Sequence, residues 1–208
     1  MKTLKQKNKE HGFTLVEVLV ALTIFSIAVA GVITAATVGG LNVNSAKNKL
    51  TATYLADEGI ELMRAVCDTS VIVASNTPTR TAGNGWTDFT TLAMGSCGGH
   101  ISCDIDVTDS NPAHHSVNFP DVNNIVPCGL FTPASPGCPL YYNSSSGYYS
   151  DYGTTTPIFT RSIYTSVINI PGSSAINPDE LEVTSTVTWQ EGSGTKSVTQ
   201  TETLFNWY

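Results

Sequence analysis

The sequence predicts an α+β fold, in which a long N-terminal α-helix packs with its second half on a C-terminal antiparallel β-sheet. Three observations predict it. Residues 13–41 carry a single charge, Glu17, in an otherwise apolar stretch of twenty-nine residues. Residues 52–67 repeat apolar side chains at the spacing of one helix face, and residues 181–189 alternate apolar with polar side chains, as a half-buried strand does. A long helix followed by strands is typical of this class.

The N-terminal region has the pattern of a membrane anchor. The first twelve residues contain one acid, Glu10, and four of the seven lysines, namely Lys2, Lys5, Lys7 and Lys9. The apolar stretch that follows exceeds the roughly 20 residues that a helix needs to span a bilayer. No Lys or Arg follows until Lys47, so the positive-inside tendency predicts a cytoplasmic N-terminus and an exported remainder. A secretory signal peptide fits less well, because its apolar core has only about 7 to 15 residues.

The junction between the lysine-rich leader and the apolar stretch reads Gly12-Phe13-Thr14-Leu15-Val16-Glu17. It resembles the class III signal of type IV pilins and pseudopilins. The resemblance implies that a prepilin peptidase removes residues 1–12 by cutting between Gly12 and Phe13, and that Phe13 is then N-methylated. Residues 55–65, LADEGIELMRA, also resemble the corresponding helix of the minor-pilin V and pseudopilin I group. Together these motifs imply a pilin-like fold.

Glu17 is the assembly residue that the resemblance implies. A carboxylate about one turn into a spanning helix costs a few kcal/mol unless it finds a partner, so its presence indicates a function. In pilin-like families the partner is the free α-amino group of the first mature residue, in a neighbouring subunit or in the same chain. The alternative is a carboxylate that lies near the membrane interface and reaches the headgroups.

The second half of the predicted helix, residues 42–67, is amphipathic. No proline interrupts it, and its apolar side chains form one stripe that can be buried against a globular head. We therefore expect one helix from Phe13 to about Cys67. The Gly39-Gly40 pair is its weak point, since glycine costs about 1 kcal/mol in a helix interior. The stripe consists of Ala52, Leu55, Ala56, Gly59, Leu62, Met63, Val66 and Cys67.

Residues 68–208 are predicted to form an exported, β-rich globular head. The first part, to residue 99, is rich in Ser, Thr, Gly and Asn, has turn signals at residues 82–85 and predicts a loop-rich connection. Six prolines predict irregular structure over residues 111–143. The expected strands are residues 100–107, 158–170, 181–189 and 196–208, the last two joined by a hairpin turn at residues 191–194.

Five cysteines lie in the part predicted to be exported, where disulfides persist. An odd number leaves at least one cysteine unpaired within the chain. We expect disulfides Cys97–Cys103 and Cys128–Cys138, each closing a short loop rich in glycine or proline, although five cysteines allow fifteen choices of two pairs. Cys67, on the apolar stripe of the helix, is then a buried free thiol.

The charge of the chain argues against nucleic-acid binding. The formal net charge is −7, and removal of the leader leaves six basic and sixteen acidic residues, a net of −10. We therefore expect no direct binding to nucleic acid or to anionic lipid by bulk charge.

The sequence contains no motif for a nucleophile elbow, a phosphate-binding loop, a zinc protease or a dinucleotide fold. The chain is therefore predicted not to be an enzyme, and neither a cofactor nor a metal is expected. His114 and His115 are adjacent and do not have the spacing of a zinc site. Asp104, Asp106 and Asp109 are spaced like calcium ligands but lack the glycine and the final glutamate of an EF-hand, so Asp104 and Asp106 are expected on one solvated face of a strand.

A tyrosine-rich segment leaves two interpretations open. Its tyrosines suit a contact surface and suit ordinary packing on the sheet equally well. They are Tyr141, Tyr142, Tyr148, Tyr149, Tyr152 and Tyr164.

The predicted function is that of a structural subunit, a minor pilin or pseudopilin and alternatively a major pilin, of a type IV pilus or type II secretion-like filament. The resemblance implies as partners a prepilin peptidase, other pilin subunits, an inner-membrane assembly platform and an assembly ATPase. The alternative from a different class is a signal-anchored, single-pass surface protein whose β-rich domain binds a ligand and does not polymerise. The sequence leaves adhesion, motility, DNA uptake and secretion equally open.

Overall fold

The computed structural model describes residues 14–76, 82–99, 101–105, 125–128, 137–150, 153–168 and 178–206. The chain divides into two compact units, Met1–Ala46 and Lys47–Tyr208. The expected processing residues Gly12 and Phe13 lie outside the described residues. So do Asp106, Asp109, the His114-His115 pair and Tyr152.

The first helix, α1, spans Leu15–Ser75 and passes through the Gly39-Gly40 pair without a break. It also continues beyond Cys67, where the sequence analysis expected it to end. Residues 68–75 contain neither glycine nor proline, and Val71 and Ala74 extend the buried face of the helix. The helix continues through this stretch because burial of its apolar side chains stabilises it and no helix-breaking residue ends it.

A second helix, α2, spans Ala82–Cys97, so the prediction of a loop-rich connection there was wrong. Its buried side chains Trp86, Phe89, Ala93 and Cys97 recur at the spacing of one helix face and are fully enclosed. Gly85 gives no turn: a Cβ at this position would collide with the backbone of Ser70, so the glycine allows α2 to approach α1 closely. Burial therefore outweighs the turn propensity of the glycines.

Seven strands form one sheet within the described residues. They are β1 Cys103–Ile105, β2 Ile125–Pro127, β3 Cys138–Tyr142, β4 Tyr149–Ser150, β5 Phe159–Val167, β6 Glu180–Glu191 and β7 Gly194–Phe205. All strand pairings between them are antiparallel. On one side β5 pairs with β6 along its whole length, and on the other side it pairs with β3 at its beginning and with β1 at Ile163.

The proline-rich stretch is more regular than expected, because β2 and β3 lie within residues 111–143. Pro127 ends β2, whose pairing within the described residues is with β1. Pro139 pairs with Thr160 of β5, whereas β4 contacts β3 only at Tyr141 and Tyr142. Both prolines thus lie where the strand is paired on one side, which is where the missing N–H is tolerated.

The second half of α1 packs on the sheet in the unit that begins at Lys47, which confirms the α+β class. One buried cluster joins α1, α2 and strands β1, β2, β5, β6 and β7, and it includes the fully buried Met63, Trp86 and Ile163. A second cluster joins the earlier turns of α1 to the other end of the sheet through Leu55, Phe159 and other residues. The apolar stripe that the sequence indicated lies on the buried face of α1, except that Leu62 is only half-buried and that Ile60, which was not part of the stripe, is buried as well.

Candidate functional site

The first turn of α1 is closed by a side chain. Thr14 precedes the helix, and its Oγ1 accepts a hydrogen bond from the backbone N–H of Glu17 at 3.3 Å. This is the threonine part of a capping box, Thr-x-x-Glu, in which the residue before the helix satisfies an unpaired backbone donor. The analysis of the sequence missed this cap, although the spacing of Thr14 and Glu17 carries its signal.

Glu17 lies in the first turn of α1, and its side chain is exposed. A carboxylate there is favoured by the positive end of the helix dipole. Because Glu17 sits at the start of the helix rather than in its middle, it is also within reach of a charged group placed just before the helix. The residue expected to supply that group, Phe13 through its free α-amino group after cleavage, lies outside the described part of the chain.

The helix that follows Glu17 presents apolar side chains on all sides. Within the described residues, α1 is long and apolar enough to cross a membrane, and its apolar window is unburied. Phe25 is 65% exposed and Ile27 is 75% exposed, values that an aqueous surface rarely tolerates in series. The other large exposed side chains of this stretch are Leu15, Val16, Val18, Leu19, Val20, Leu22, Ile24, Val29, Val32, Ile33, Val38 and Leu41.

The hydroxyl groups of this apolar stretch are satisfied by the helix itself. Thr23 donates to Val20 O, and Ser26, Thr34 and Thr37 each donate to the carbonyl four residues earlier, at 2.8 to 2.9 Å. A polar group that is paired within its own helix does not need water or a partner side chain. The surface is therefore suited to an apolar surrounding, in a lipid bilayer or among other helices.

The buried side chain of Arg161 joins two strands of the sheet and α1. Arg161 of β5 is 4% exposed and donates from Nε to Asp104 Oδ1 at 2.7 Å. Its Nη1 reaches Leu55 O at 3.2 Å and Glu58 Oε2 at 3.3 Å, both on α1. Asp104 is 1% exposed, so its expected place on a solvated strand face was wrong. Its partner is 57 residues away in the chain, which no local pattern could indicate.

A second, more exposed ion pair joins α1 to the last strand. Arg64 bonds to Glu202 of β7 and, at 2.5 Å, to Glu61 Oε2. The hydrogen bond to Glu202 raises the pKa of Arg64, with smaller contributions from nearby carboxylates. The guanidinium therefore stays charged, although pairs of such exposure contribute only about 0 to 1 kcal/mol to stability.

All five cysteines lie in the described residues. Disulfides form at Cys97–Cys103 and Cys128–Cys138, the two pairings expected above, and they join the end of α2 to β1 and the end of β2 to β3. Cys67 is a buried free thiol. Burial, with a smaller contribution from the charge of Asp68, raises the pKa of the Cys67 thiol to about 12, so it remains protonated and unreactive at neutral pH.

The tyrosine-rich segment divides between packing and exposure. Tyr149 packs edge-on against Phe159, with ring centroids 5.8 Å apart, and burial raises its pKa. Tyr142 and Tyr148 remain exposed. No group of three or more potential metal ligands occurs in the part of the chain that the structure describes.

Comparison with known proteins gives one family signature. Residues 7–33 match the model of the prokaryotic N-terminal methylation motif. No curated protein and no solved structure matches the chain. The motif implies processing by a prepilin peptidase and assembly with other pilins, whose family is structural rather than enzymatic, and the apolar helix fits membrane anchoring. The N-terminus of the chain thus carries the class III signal, which supports a type IV pilin-like, prepilin-processed protein of the pilin and pseudopilin family.

Proposed function

We propose that this protein is a minor pilin or pseudopilin, a structural subunit of a type IV pilus or of a type II secretion-like filament. The observation that carries the proposal is the methylation motif at residues 7–33, which runs directly into a helix whose apolar side chains have no cover of their own. Lipid covers such a surface before assembly, and the helices of neighbouring subunits cover it in a filament.

The proposed organisation has four parts. Residues 1–12 are a leader, cut between Gly12 and Phe13, and Phe13 becomes the N-methylated first residue of the mature chain. Residues 13–41 are the segment that spans the membrane and then lies in the filament core. Residues 42–67 are the amphipathic part of the helix. Residues 68–208 form the exported head, into which the helix extends as far as Ser75.

Glu17 is the proposed assembly residue. It would pair with the α-amino group of Phe13 in a neighbouring subunit, which neutralises two charges that an apolar filament core would otherwise hold unpaired. Its exposure and its place in the first turn of α1 support this role. The force for extracting the helix from lipid would come from an assembly ATPase and an inner-membrane platform. The N-terminus is then cytoplasmic and the filament extracellular or periplasmic.

The first experiment is the intact mass and N-terminal sequence of the protein recovered from sheared surface filaments and from membranes. We expect a chain that begins at N-methylated Phe13 in the filament fraction, in an amount far below that of the main subunit. An amount equal to the main subunit would instead identify a major pilin. Uncleaved protein confined to membranes would contradict the proposal and favour the anchored surface protein that does not polymerise.

Two variants separate processing from assembly. Gly12→Asp should block cleavage and leave the precursor in the membrane. Glu17→Ala should be cleaved normally but should enter filaments at least about tenfold less, because the α-amino group then lacks its charge partner. Glu10→Ala is the matched control, since it makes the same substitution in the part of the chain that is removed. A Glu17→Ala protein that enters filaments as well as Glu10→Ala would refute the assembly role of Glu17.

A further inference from the structure

Among the described residues, the last strand of the sheet has a long free edge. β7 pairs with β6 along all twelve of its residues and has no other neighbour within the described residues. The strand contains no proline, and its register with β6 runs without a bulge. Its exposed residues are Gly194, Thr195, Lys196, Ser197, Thr199, Thr201 and Phe205. A straight edge of this length offers its backbone groups to another strand.

The hairpin turn determines which backbone groups face that edge. Gly192, with a φ of +61°, and Ser193 form a two-residue turn, and Glu191 pairs with Gly194 across it. In such a hairpin the pair that flanks the turn is hydrogen bonded, and such pairs then alternate along the ladder. The even-numbered residues of β7 therefore bond to β6. The odd-numbered residues from Thr195 to Thr203 direct their N–H and C=O groups to the free edge.

The sequence of β7 is complementary to itself in one antiparallel register. When a second β7 is centred on Thr199, hydroxyl residues lie opposite hydroxyl residues, because Thr195 faces Thr203 and Ser197 faces Thr201. Lys196 then lies opposite Glu202 of the second copy, twice in the pair. These two are the charged residues of the strand. A shift of the centre by one residue places Lys196 opposite Gln200 or Leu204 and loses both charge pairs.

The hydroxyl rows already exist between β6 and β7. Thr184 and Thr201 hydroxyls are 3.3 Å apart, and those of Thr186 and Thr199 are 3.0 Å apart. A second β7 in the register centred on Thr199 would extend both rows of hydroxyl groups into the second copy, because Thr199 would face Thr199 and Thr201 would face Ser197 of that copy. Cross-strand pairs of this kind add to the stability of a sheet.

The helix-facing side of the β7 edge is acidic where the second Lys196 would arrive. Glu202 lines a cleft of about 290 Å³ with Asp57, Glu61 and Arg64 of α1. Three carboxylates surround one guanidinium there, so an additional cation is favoured. Lys196 is the only lysine after Lys49 in the chain. Lys196 lies on the same side of β7 as Glu202. In the proposed register, Lys196 of one copy and Glu202 of the other form a non-hydrogen-bonded pair, the kind of antiparallel pair in which the two side chains are closer together.

We propose that β7 is a docking edge for a second copy of this chain, paired antiparallel about Thr199 and held by two Lys196–Glu202 contacts. An inward-facing lysine normally protects a strand edge from association. Here the Glu202 carboxylate of the second copy pairs with Lys196, so association is favoured only with this partner and only in the register centred on Thr199. A two-fold contact of this kind cannot repeat along a polar filament, so it joins subunits in pairs. The proposal does not depend on assembly through the N-terminal helix.

Register-specific disulfide formation in the full-length, exported protein tests the proposal. Thr199→Cys should form a disulfide-linked dimer, because the Cα atoms of this pair would lie about 5.5 Å apart, within the range of disulfides. Thr195→Cys and Thr203→Cys should not form dimers alone, since each would lie about 27 Å from its own copy. Coexpression of these two variants should give the mixed dimer. The unchanged protein controls for Cys67.

The charge contacts are tested in the Thr199→Cys background. Lys196→Glu should lower the dimer fraction about tenfold, because two attractions become two repulsions. Lys49→Glu makes the same change in charge on α1 and should leave the dimer fraction unchanged. Formation of both native disulfides, measured by intact mass, shows that each variant is folded.

Three results would overturn the proposal. The first is the absence of a Thr199→Cys dimer in folded protein. The second is dimer formation by Thr195→Cys or Thr203→Cys alone at a similar level, which would reflect mere proximity in the membrane or filament. The third is a Lys196→Glu variant that forms dimers as well as Lys49→Glu does.

Discussion

Replacing Gly59 with alanine tests how closely α1 lies against the sheet. A Cβ at this position would lie 2.6 Å from Ser185 Oγ, 3.2 Å from Arg161 Cδ and 3.3 Å from Ile163 Cδ1. Adding a methyl group to such a site costs about 1 to 3 kcal/mol. Alanine also returns about 1 kcal/mol, because glycine is unfavourable inside a helix. We expect a net loss of about 1 kcal/mol in the free energy of unfolding.

The neighbouring serine makes the reasoning testable by a double-mutant cycle. Ser185 is fully buried, and its Oγ has no hydrogen-bond partner among the described residues. Ser185→Ala should therefore be neutral or stabilising by about 1 kcal/mol. It also removes the atom nearest to the new methyl group. In that background Gly59→Ala should become neutral or stabilising, which gives a coupling energy of about 1 to 3 kcal/mol.

The measurement is urea unfolding of the full-length protein in mild detergent, followed by the fluorescence of the buried Trp86 and Trp189. Gly95→Ala is the matched control. It lies inside α2, and no heavy atom of the described residues lies within 4 Å of its added Cβ, so it should stabilise by about 0.5 to 1 kcal/mol. Additive effects of Gly59→Ala and Ser185→Ala, within about 0.5 kcal/mol, would refute the close contact.

Three further predictions concern the polar and sulfur groups of the head. Arg161→Leu should lower the free energy of unfolding by about 3 to 5 kcal/mol, because it leaves a buried carboxylate without its guanidinium, whereas Arg64→Leu should cost only about 0 to 1 kcal/mol in the same urea titration. Cys67 should resist a thiol reagent at pH 8 in the folded protein and react as one thiol per chain in denaturant. Because folding raises the pKa of this thiol, the stability that it contributes should fall as the pH rises from about 9, the ordinary pKa of a thiol, towards 12. The Cys67→Ala variant should lack this loss of stability. Replacing Cys128 and Cys138 together by serine should cost about 2 to 3 kcal/mol, and a cost near zero would mean that the loop is held without the bridge.

The parts of the fold that could be predicted are those with a local period. The alternation over residues 181–189 lies within β6, and the apolar stripe of residues 52–67 is the buried face of α1. The helix α2 was missed because its first residues, Ala82-Gly83-Asn84-Gly85, have the composition of a turn. Helix α2 is stabilised mainly by the burial of Trp86 and Phe89 against elements that are distant in sequence. Helix propensity, which depends only on the local residues, carries no information about this burial.

The two units differ in how their polar atoms are satisfied, and this explains what the sequence could indicate about each. In the apolar half of α1, hydroxyls such as Thr34 bond to their own helix, so the neighbouring surface needs to match only in shape and apolarity. Composition is enough to predict such a segment. In the head, Arg161 of β5 is satisfied by Leu55 O of α1 and by Asp104 and Ile105 O of β1, two elements that are distant from β5 in the chain. Such a group is stable only when α1, β1 and β5 have come together, because its partners lie in parts of the chain that are far apart in sequence. A buried charge of this kind therefore appears in the sequence as one more surface residue, and only the assembled sheet and helix reveal its role.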